Sequence, residues 1–328
     1  MPHKLKDPVR HKFKKKSYNV RDWKAYDQGL QNRGNLTIWF AEDAINAWNA
    51  SRPERMKRGR PCLYSDLAIE TSHILRLVYK QPLRQTEGFI KSIVTLLHLD
   101  LIVPDHTTLS RRTRKISVTK KPNVSKEKLV VIVDSTGLKV FGEKEWMNTK
   151  HGTKQRKVWS KLNIAIDDEG EILSSTLTTH EVSDVSQVPD LLAEIDVSID
   201  EFMGDAGGYD HAKTYETLYS HELKTGQDHS ICVVIPPNIG FKPEHESDSA
   251  QRKKNIHHLH AVGRQKWQKD TRYGRRSGVE NSIYRYKTII GRTLRSKSTA
   301  NQNTEVKIGV NILNRMKALG MPKARFVA

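Results

Sequence analysis

Four residues near the C-terminal end combine types and spacings that could do chemistry. Tyr273, Arg276, Glu280 and Lys287 are separated by three, four and seven positions. On a helix turning about 100° per residue they fall within an arc of about 60°. One carboxylate, two cations and a phenol can then share a face. A carboxylate can hold a metal ion and flanking cations can grip phosphate, a combination suited to reaction at a nucleic-acid backbone. The same residues allow a plainer reading. Ser277 and Glu280 have the spacing of a capping box, and Arg276 and Lys287 could be an ordinary solvated face.

Two further acids stand out by placement. Asp134 closes the apolar run LVVIV at 129–133, which reads as a buried central strand. Asp205 ends a second short strand just before Gly207 and Gly208, which let backbone or ligand come close. Phosphoryl transfer is served by two Mg²⁺ ions about 3.5–4 Å apart, held by a few carboxylates and the substrate's own phosphate. A short Asp on a strand gives a rigid ligand, and a Glu can reach across from a helix. Either aspartate could instead simply open a turn or sit in a loop. Ser135 has no nearby histidine base in the sequence and makes a poor nucleophile. The histidines at 257, 258 and 260 lack cysteines and match no standard zinc spacing, so a solvated or DNA-facing loop is expected there.

The elements that must position these residues follow from composition and pattern. The 328-residue chain carries 56 Lys plus Arg against 37 Asp plus Glu, a formal charge of +19. Such an excess favours a polyanionic partner, nucleic acid before anionic membrane. No apolar run is long enough to span a bilayer, and the basic N-terminal stretch has no apolar h-region behind it. A cytoplasmic, nucleoid-associated protein is therefore expected. Cys62 and Cys232 form no CxxC pair, which fits a reducing compartment without disulfides.

Residues 1–30 are polar and basic and are expected to be a flexible or loosely docked arm. Within the basic linker at 51–61, RGRP at 58–61 has the core of an AT-hook, whose two arginines, Arg58 and Arg60, would enter a narrow minor groove; plain phosphate contact is the alternative. Three helices are expected at 66–79, 84–98 and from Asp105 or Thr107 to Arg112. That is the layout of a helix-turn-helix reader, with Thr107, Thr108, Ser110, Arg111 and Arg112 facing phosphates or bases. A plain three-helix bundle is the alternative. After residue 126 the pattern becomes strand, hairpin (159–166 and 172–179), helix (185–195), strand, helix (211–223, capped by Asp210), strand (231–235), an irregular stretch at 238–270, and two closing helices. This α/β order with mixed strand directions fits a ribonuclease-H-like core. The expected domains are a basic arm and linker at 1–60, a helical DNA-binding domain at 61–120, a catalytic domain at 126–300, and a C-terminal helix and tail at 301–328.

Taken together, these segments resemble a DDE transposase of the insertion-sequence-5 family. The family signature of Tyr, two residues, Arg, three, Glu, six, Lys is met at Tyr273, Arg276, Glu280 and Lys287. The family's two aspartate segments are met by VDSTGLK at 133–139 and GDAGGYD at 204–210. YSDLAIET at 64–71, PLRQTEGF at 82–89, PDHTTLSRR at 104–112 and KHG at 150–152 also look familial, so the resemblance spans about residues 30–318. It implies cleavage at the 3′ ends of an insertion element, at its terminal repeats, followed by joining to target DNA. Asp134, Asp205 and Glu280 would be the catalytic residues and would hold two Mg²⁺ ions, with Mn²⁺ able to substitute. Tyr273, Arg276 and Lys287 would bind phosphates beside the scissile bond. Lys150, Lys154, Lys157 and Lys161 are expected along the DNA channel. Trp159 would pack the hairpin as a core residue, or stack an unpaired base. Double-stranded DNA is the implied partner, and pairing two element ends implies at least a homodimer. A metal-dependent nuclease without strand transfer, or a non-enzymatic helix-turn-helix regulator, would share parts of this pattern.

Overall fold

A computed structural model describes residues 17–50, 61–116, 118, 128–140, 159–237 and 249–327. The described strands are β1 (Ser17–Val20), β2 (Val130–Val140), β3 (Trp159–Ile166), β4 (Ile172–Thr179), β5 (Glu201–Met203), β6 (Cys232–Val234), β7 (Thr293–Leu294) and β8 (Ala324–Val327). The chain forms two compact units, Phe40–Asn314 and a smaller one made of Met1–Trp39 with Arg315–Ala328.

The larger unit is built on a mixed sheet in the order β4-β3-β2-β5-β6, with β7 also beside β2. β2, β3 and β4 pair antiparallel. β5 runs parallel to β2 and to β6, and β7 parallel to the far end of β2. The run at 129–133 is apolar without alternation because both faces of β2 are covered. Leu129, Val131 and Val133 join a core with Leu191, Leu192 and Leu218 from the helices on one side. With a side-chain period of two, Val130 and Ile132 face the other side, and so does Asp134.

β2 does not stop at Asp134, as its turn-forming neighbours suggested. It continues to Val140. Its antiparallel ladder with β3 holds the segment extended from Ile132↔Ile166 to Lys139↔Trp159. The hairpin between β3 and β4 turns where expected. Asp167 Oδ1 accepts the N–H groups of Glu169 and Glu171, and Gly170 supplies the positive φ of 81° that the turn requires.

The three expected helices are present at Asp66–Val78, Leu83–Leu96 and His106–Arg112. Ser65 caps the first by accepting the Ala68 N–H, and Asp105 caps the third by accepting from Thr107 and Thr108. They lie in the same compact unit as the sheet. Asn311 Nδ2 donates to Glu70 Oε1 and Asn301 Nδ2 to the Ser110 carbonyl, tying them to the long helix Thr299–Ala318.

Several expectations change. The stretch expected to be irregular, 238–270, forms helices Ala250–Val262 and Arg264–Asp270, and its first part, 238–248, lies outside the described residues. Their polar sequence hides three buried anchors, Arg252, Ile256 and Trp267. Asp210 does not cap the helix Ala212–Thr225, because its carboxylate binds Arg252 through Nε at 2.8 Å and Nη2 at 3.0 Å in a buried bidentate pair. The expected helix at 185–195 is a short 3₁₀ turn, Val185–Gln187, leading into Val188–Ala193.

Part of the expected arm is ordered structure in the smaller unit. There β1 pairs antiparallel with β8, and Trp23–Gly34 is a helix. Arg33 donates to the Gly320 carbonyl and Trp39 Nε1 to the Arg33 carbonyl. Among the described residues no helix is long and apolar enough to cross a membrane.

The first of the three helices buries a titratable group. His73 Nε2 lies 2.7 Å from Thr113 Oγ1. Burial, with the Arg76 charge adding to it, pushes His73 down to about 4. The unfolded chain therefore takes up this proton first. Stability from neutral His73 is complete above the unfolded value of about 6.5 and is lost as pH falls toward 4, by up to about 3 kcal/mol. The urea midpoint should fall more steeply between pH 7 and pH 5 for the native chain than for His73→Gln. Parallel profiles would show that His73 does not titrate on unfolding.

Candidate active site

β2 and β5 set the two aspartates level. Val130 pairs with Glu201 and Ile132 with Met203, an offset of 71 residues. The same offset carries Asp134 to Asp205, two residues past the last paired position and the end of β5, and the Asp205 charge acts on Asp134. β7 takes up the same edge of β2 only at Lys139 and Val140. The edge between them opens where the acids sit.

Asp205 ends the strand as the cap of a short helix, Ala206–Tyr209, accepting the Gly208 N–H at 3.0 Å. The glycine at 208 lets the two acids close in, since a Cβ there would lie 2.9 Å from Asp205 Oδ1 and 3.1 Å from Asp184 Oδ2 and push the carboxylates away. The Glu280 helix, Ser277–Arg285, lies over the Asp134 face and is anchored through Val279 and Ser282. A π-helical turn, Tyr286–Ile290, continues it. Tyr286 is buried there against Gly309, where a Cβ would come within 3.1 Å of the Tyr286 ring.

Arg276 joins the parts. It ends the 3₁₀ turn Tyr273–Arg276 just before the helix. Its Nη2 donates to Asp134 Oδ2 at 3.0 Å and its Nη1 to Glu280 Oε1 at 2.9 Å. One guanidinium thus bridges two carboxylates 146 residues apart in sequence (280 − 134). The capping box is not formed: Glu280 binds the Arg276 side chain, and Ser277 Oγ donates to the Gly274 carbonyl. Tyr273 OH donates to the Gly204 carbonyl, next to Asp205.

The electrostatics are those of crowded acids around one cation. Burial pushes Asp134 up. Arg276 and the Ser135 N–H pull it back, and the charges of Asp205 and Glu280 push it further up. Burial works against the Arg276 charge, but Asp134, Tyr273, Asp205 and Glu280 outweigh it and hold the guanidinium more firmly protonated than usual. Burial above all pushes the Tyr273 phenol up to about 12, so it acts as a neutral donor. Glu280 is the open member, with its side chain 60% exposed. It lines a depression of about 380 Å³ together with Tyr273, Arg276, Gln265, Gln268 and Lys269.

Other residues singled out from the sequence fall elsewhere. Lys287 lies in the π-helical turn, and among the described residues it makes no hydrogen bond or ion pair with these acids. Burial and the nearby Arg292 charge lower its pKa. Lys161 is turned inward, 2.9 Å from Asp184 Oδ1 and donating to the Val182 carbonyl. Trp159 is not a core residue. It is 37% exposed, lies over Gly137 and stacks obliquely on His180. Arg112 pins the helical layer by donating to the Tyr64 carbonyl and to Asp66, and the Thr107 and Thr108 hydroxyls are held by Asp105. Ser110 and Arg111 line a cavity discussed below. Arg58, Arg60, Lys150, Lys154 and Lys157 lie outside the described residues.

Two participants were missed. Asp184, just past β4, brings a fourth carboxylate beside Asp205, and both act electrostatically on the buried Tyr209. Arg275 clamps Glu201 at the start of β5 through Nη2, at 2.6 and 2.5 Å. The doubled arginine at 275–276 was visible in sequence, but no periodic pattern marked Asp184.

Comparison with known proteins places the chain in a family. A family model described as a transposase DDE domain matches residues 125–313, over half of the chain. A second model of the same description matches residues 31–143. Among solved structures, a pre-cleavage Mos1 transpososome is 11% identical over 92% of this chain and 95% of that chain, with a TM-score of 0.22. A Mos1 mariner paired end complex with Mn is 12% identical over 96% and 91%, also at 0.22. At such scores the assignment rests on the domain matches. The chain belongs to the transposases that carry a DDE domain, metal-dependent enzymes of DNA cleavage and strand transfer.

Proposed function

We propose that this chain is the transposase of an insertion element of the insertion-sequence-5 kind. It binds the element's terminal repeats, cleaves the 3′ ends and joins them to target DNA, with a ribonuclease-H-like core holding the chemistry. The observation that carries this reading is the placement of Asp134 level with Asp205 and its bridge through Arg276 to Glu280. The helices at 66–112 would read the ends, and two copies of the chain would pair two ends. Cytoplasmic, nucleoid-associated action goes with that partner.

The donor set fits a hard divalent cation, since Asp134, Asp205 and Glu280 offer oxygen ligands only. Among the described residues no group of three His, Cys, Asp or Glu is already gathered as a cage. Arg276 occupies the space between Asp134 and Glu280 and supplies the positive charge there. Those three acids would hold Mg²⁺, or Mn²⁺ in its place, and two ions bound there supply an activated water and neutralise charge developing on the phosphoryl oxygens.

The chain's own residues do the rest. The Arg276 fork would bind two non-bridging phosphate oxygens beside the scissile bond bidentately. Tyr273 keeps the end of β5 in place through Gly204. Lys161 holds Asp184 beside Asp205. The depression outside Glu280, with Gln265, Gln268 and Lys269, provides neutral and cationic donors for the flanking strand.

Two outcomes test this reading. Asp134→Asn, Asp205→Asn and Glu280→Gln should each lower Mg²⁺-dependent 3′-end cleavage by at least about 10³-fold, while affinity for end-bearing duplex in a gel-shift assay stays within a few-fold. Normal cutting by any one variant removes that residue from the site. Arg276→Gln should bind Mn²⁺ several-fold tighter in a titration followed by electron paramagnetic resonance, because the competing cation is gone. It should also cleave at least about 100-fold more slowly. Unchanged Mn²⁺ affinity would show that Arg276 and the metal do not compete.

A further inference from the structure

A second cationic site lies in the larger unit, away from the acids. A cavity of about 470 Å³ opens between the helix His106–Arg112 and the segment at 295–301, with Arg76, Arg111, Arg114, Arg295 and Lys297 in its wall. A neighbouring cavity of about 620 Å³ shares Arg76, Leu83 and Arg295 and adds Lys80 and Arg292. No Asp or Glu lines either one.

The floor is Arg76. It is only 6% exposed, and its Nε has no hydrogen-bond partner among the described residues. Burial works against its charge, Glu305 helps to hold it and Arg295 opposes it. Among the described residues Glu305 makes no direct ion pair with it; its two carboxylate oxygens instead accept the backbone N–H groups of Arg295 and Ser296 at 2.8 and 2.9 Å. A desolvated cation beside another cation is costly unless an anion completes it. Around this floor Arg111, Arg114, Arg292 and Lys297 stand exposed at the rim.

We propose that these joined cavities bind the phosphodiester backbone of the DNA substrate, with one phosphate held over Arg76 and Arg295. The proposal rests on the transposase reading and gives it a second backbone contact. β7 lines the larger cavity at Thr293 and pairs with β2 at Lys139, five residues along the strand from Asp134. At about 3.3 Å per residue this is about 17 Å from the aspartate, the length of about five base pairs of duplex. The site would anchor DNA flanking the cleaved bond and fix which phosphate reaches the acids.

The test uses the full chain and a fluorescent duplex carrying a candidate element end, titrated from 50 to 300 mM salt. The rim variant Arg114→Ser/Lys297→Ser should bind about tenfold more weakly at 150 mM salt and lower the log–log salt slope by about 1 to 2. An equal-charge control, Lys213→Ser/Lys254→Ser, should change the slope by less than half of that. Arg76→Met should bind more weakly and also melt at a higher temperature without DNA, since an apolar group replaces an incomplete buried cation. The proposal is overturned if the rim variant matches the native chain, or if Arg76→Met melts lower with unchanged DNA affinity, which makes Arg76 structural. It is equally overturned if inorganic phosphate at matched ionic strength raises the melting temperature as duplex does while the rim variant still binds duplex normally, which makes this a small-anion site. A native chain that fails to bind duplex at all refutes the transposase reading instead.

Discussion

Like charges do not gather without something between them. Asp134, Asp205 and Glu280 come from a central strand, a strand end and a late helix, and their negative charges act on one another. Two carboxylates about 5 Å apart repel by about 3 kcal/mol at an effective dielectric constant of 20. The guanidinium of Arg276, bonded at once to Asp134 and Glu280, is what makes this arrangement tolerable in the protein alone. Much of the surrounding architecture serves it. β3 holds β2 extended beyond the aspartate, the register with β5 sets the second acid level, and Tyr273 fixes the turn that carries Arg276 to the end of β5.

One guanidinium serves Asp134 and Glu280 at once, with Asp205 acting on the same cluster, so the acids outnumber the cation among them. Asp184 extends the negative surface beyond the three acids, but its pairing with Lys161 keeps it compensated locally.

Much of this was legible in the sequence where local physics dominates. A β-branched run covered on both faces had to be a central strand, and Asp105 marked a helix start. The spacing of Tyr273, Arg276 and Glu280 marked a shared locus because an i,i+4 pair meets on any helical turn. The even rotation that placed Lys287 on the same face does not hold to the end of the helix, since the chain widens into a π-turn at 286–290. Pairings between distant residues were invisible. Arg112 with Asp66 and Arg252 with Asp210 are separated by 46 and 42 residues and exist only once the fold is made. The same holds for the helices at 250–270, whose stability comes from buried Arg252, Ile256 and Trp267 rather than from any periodic apolar face. Net charge pointed to a polyanionic partner but not to a surface, since several arginines and lysines face inward as structural pins.

The fit of Tyr286 against Gly309 has a consequence for how such a site can fail. The carboxylate of Glu280 rides on a helix whose continuation is packed by that ring against a neighbouring backbone, where a Cβ would come within 3.1 Å of the ring and push on it. Leverage on the acid therefore resides well away from it, in a glycine whose neighbours are Tyr286 and Ile290. A side chain there would reach Glu280 through the helix while all three acids stayed in the chain.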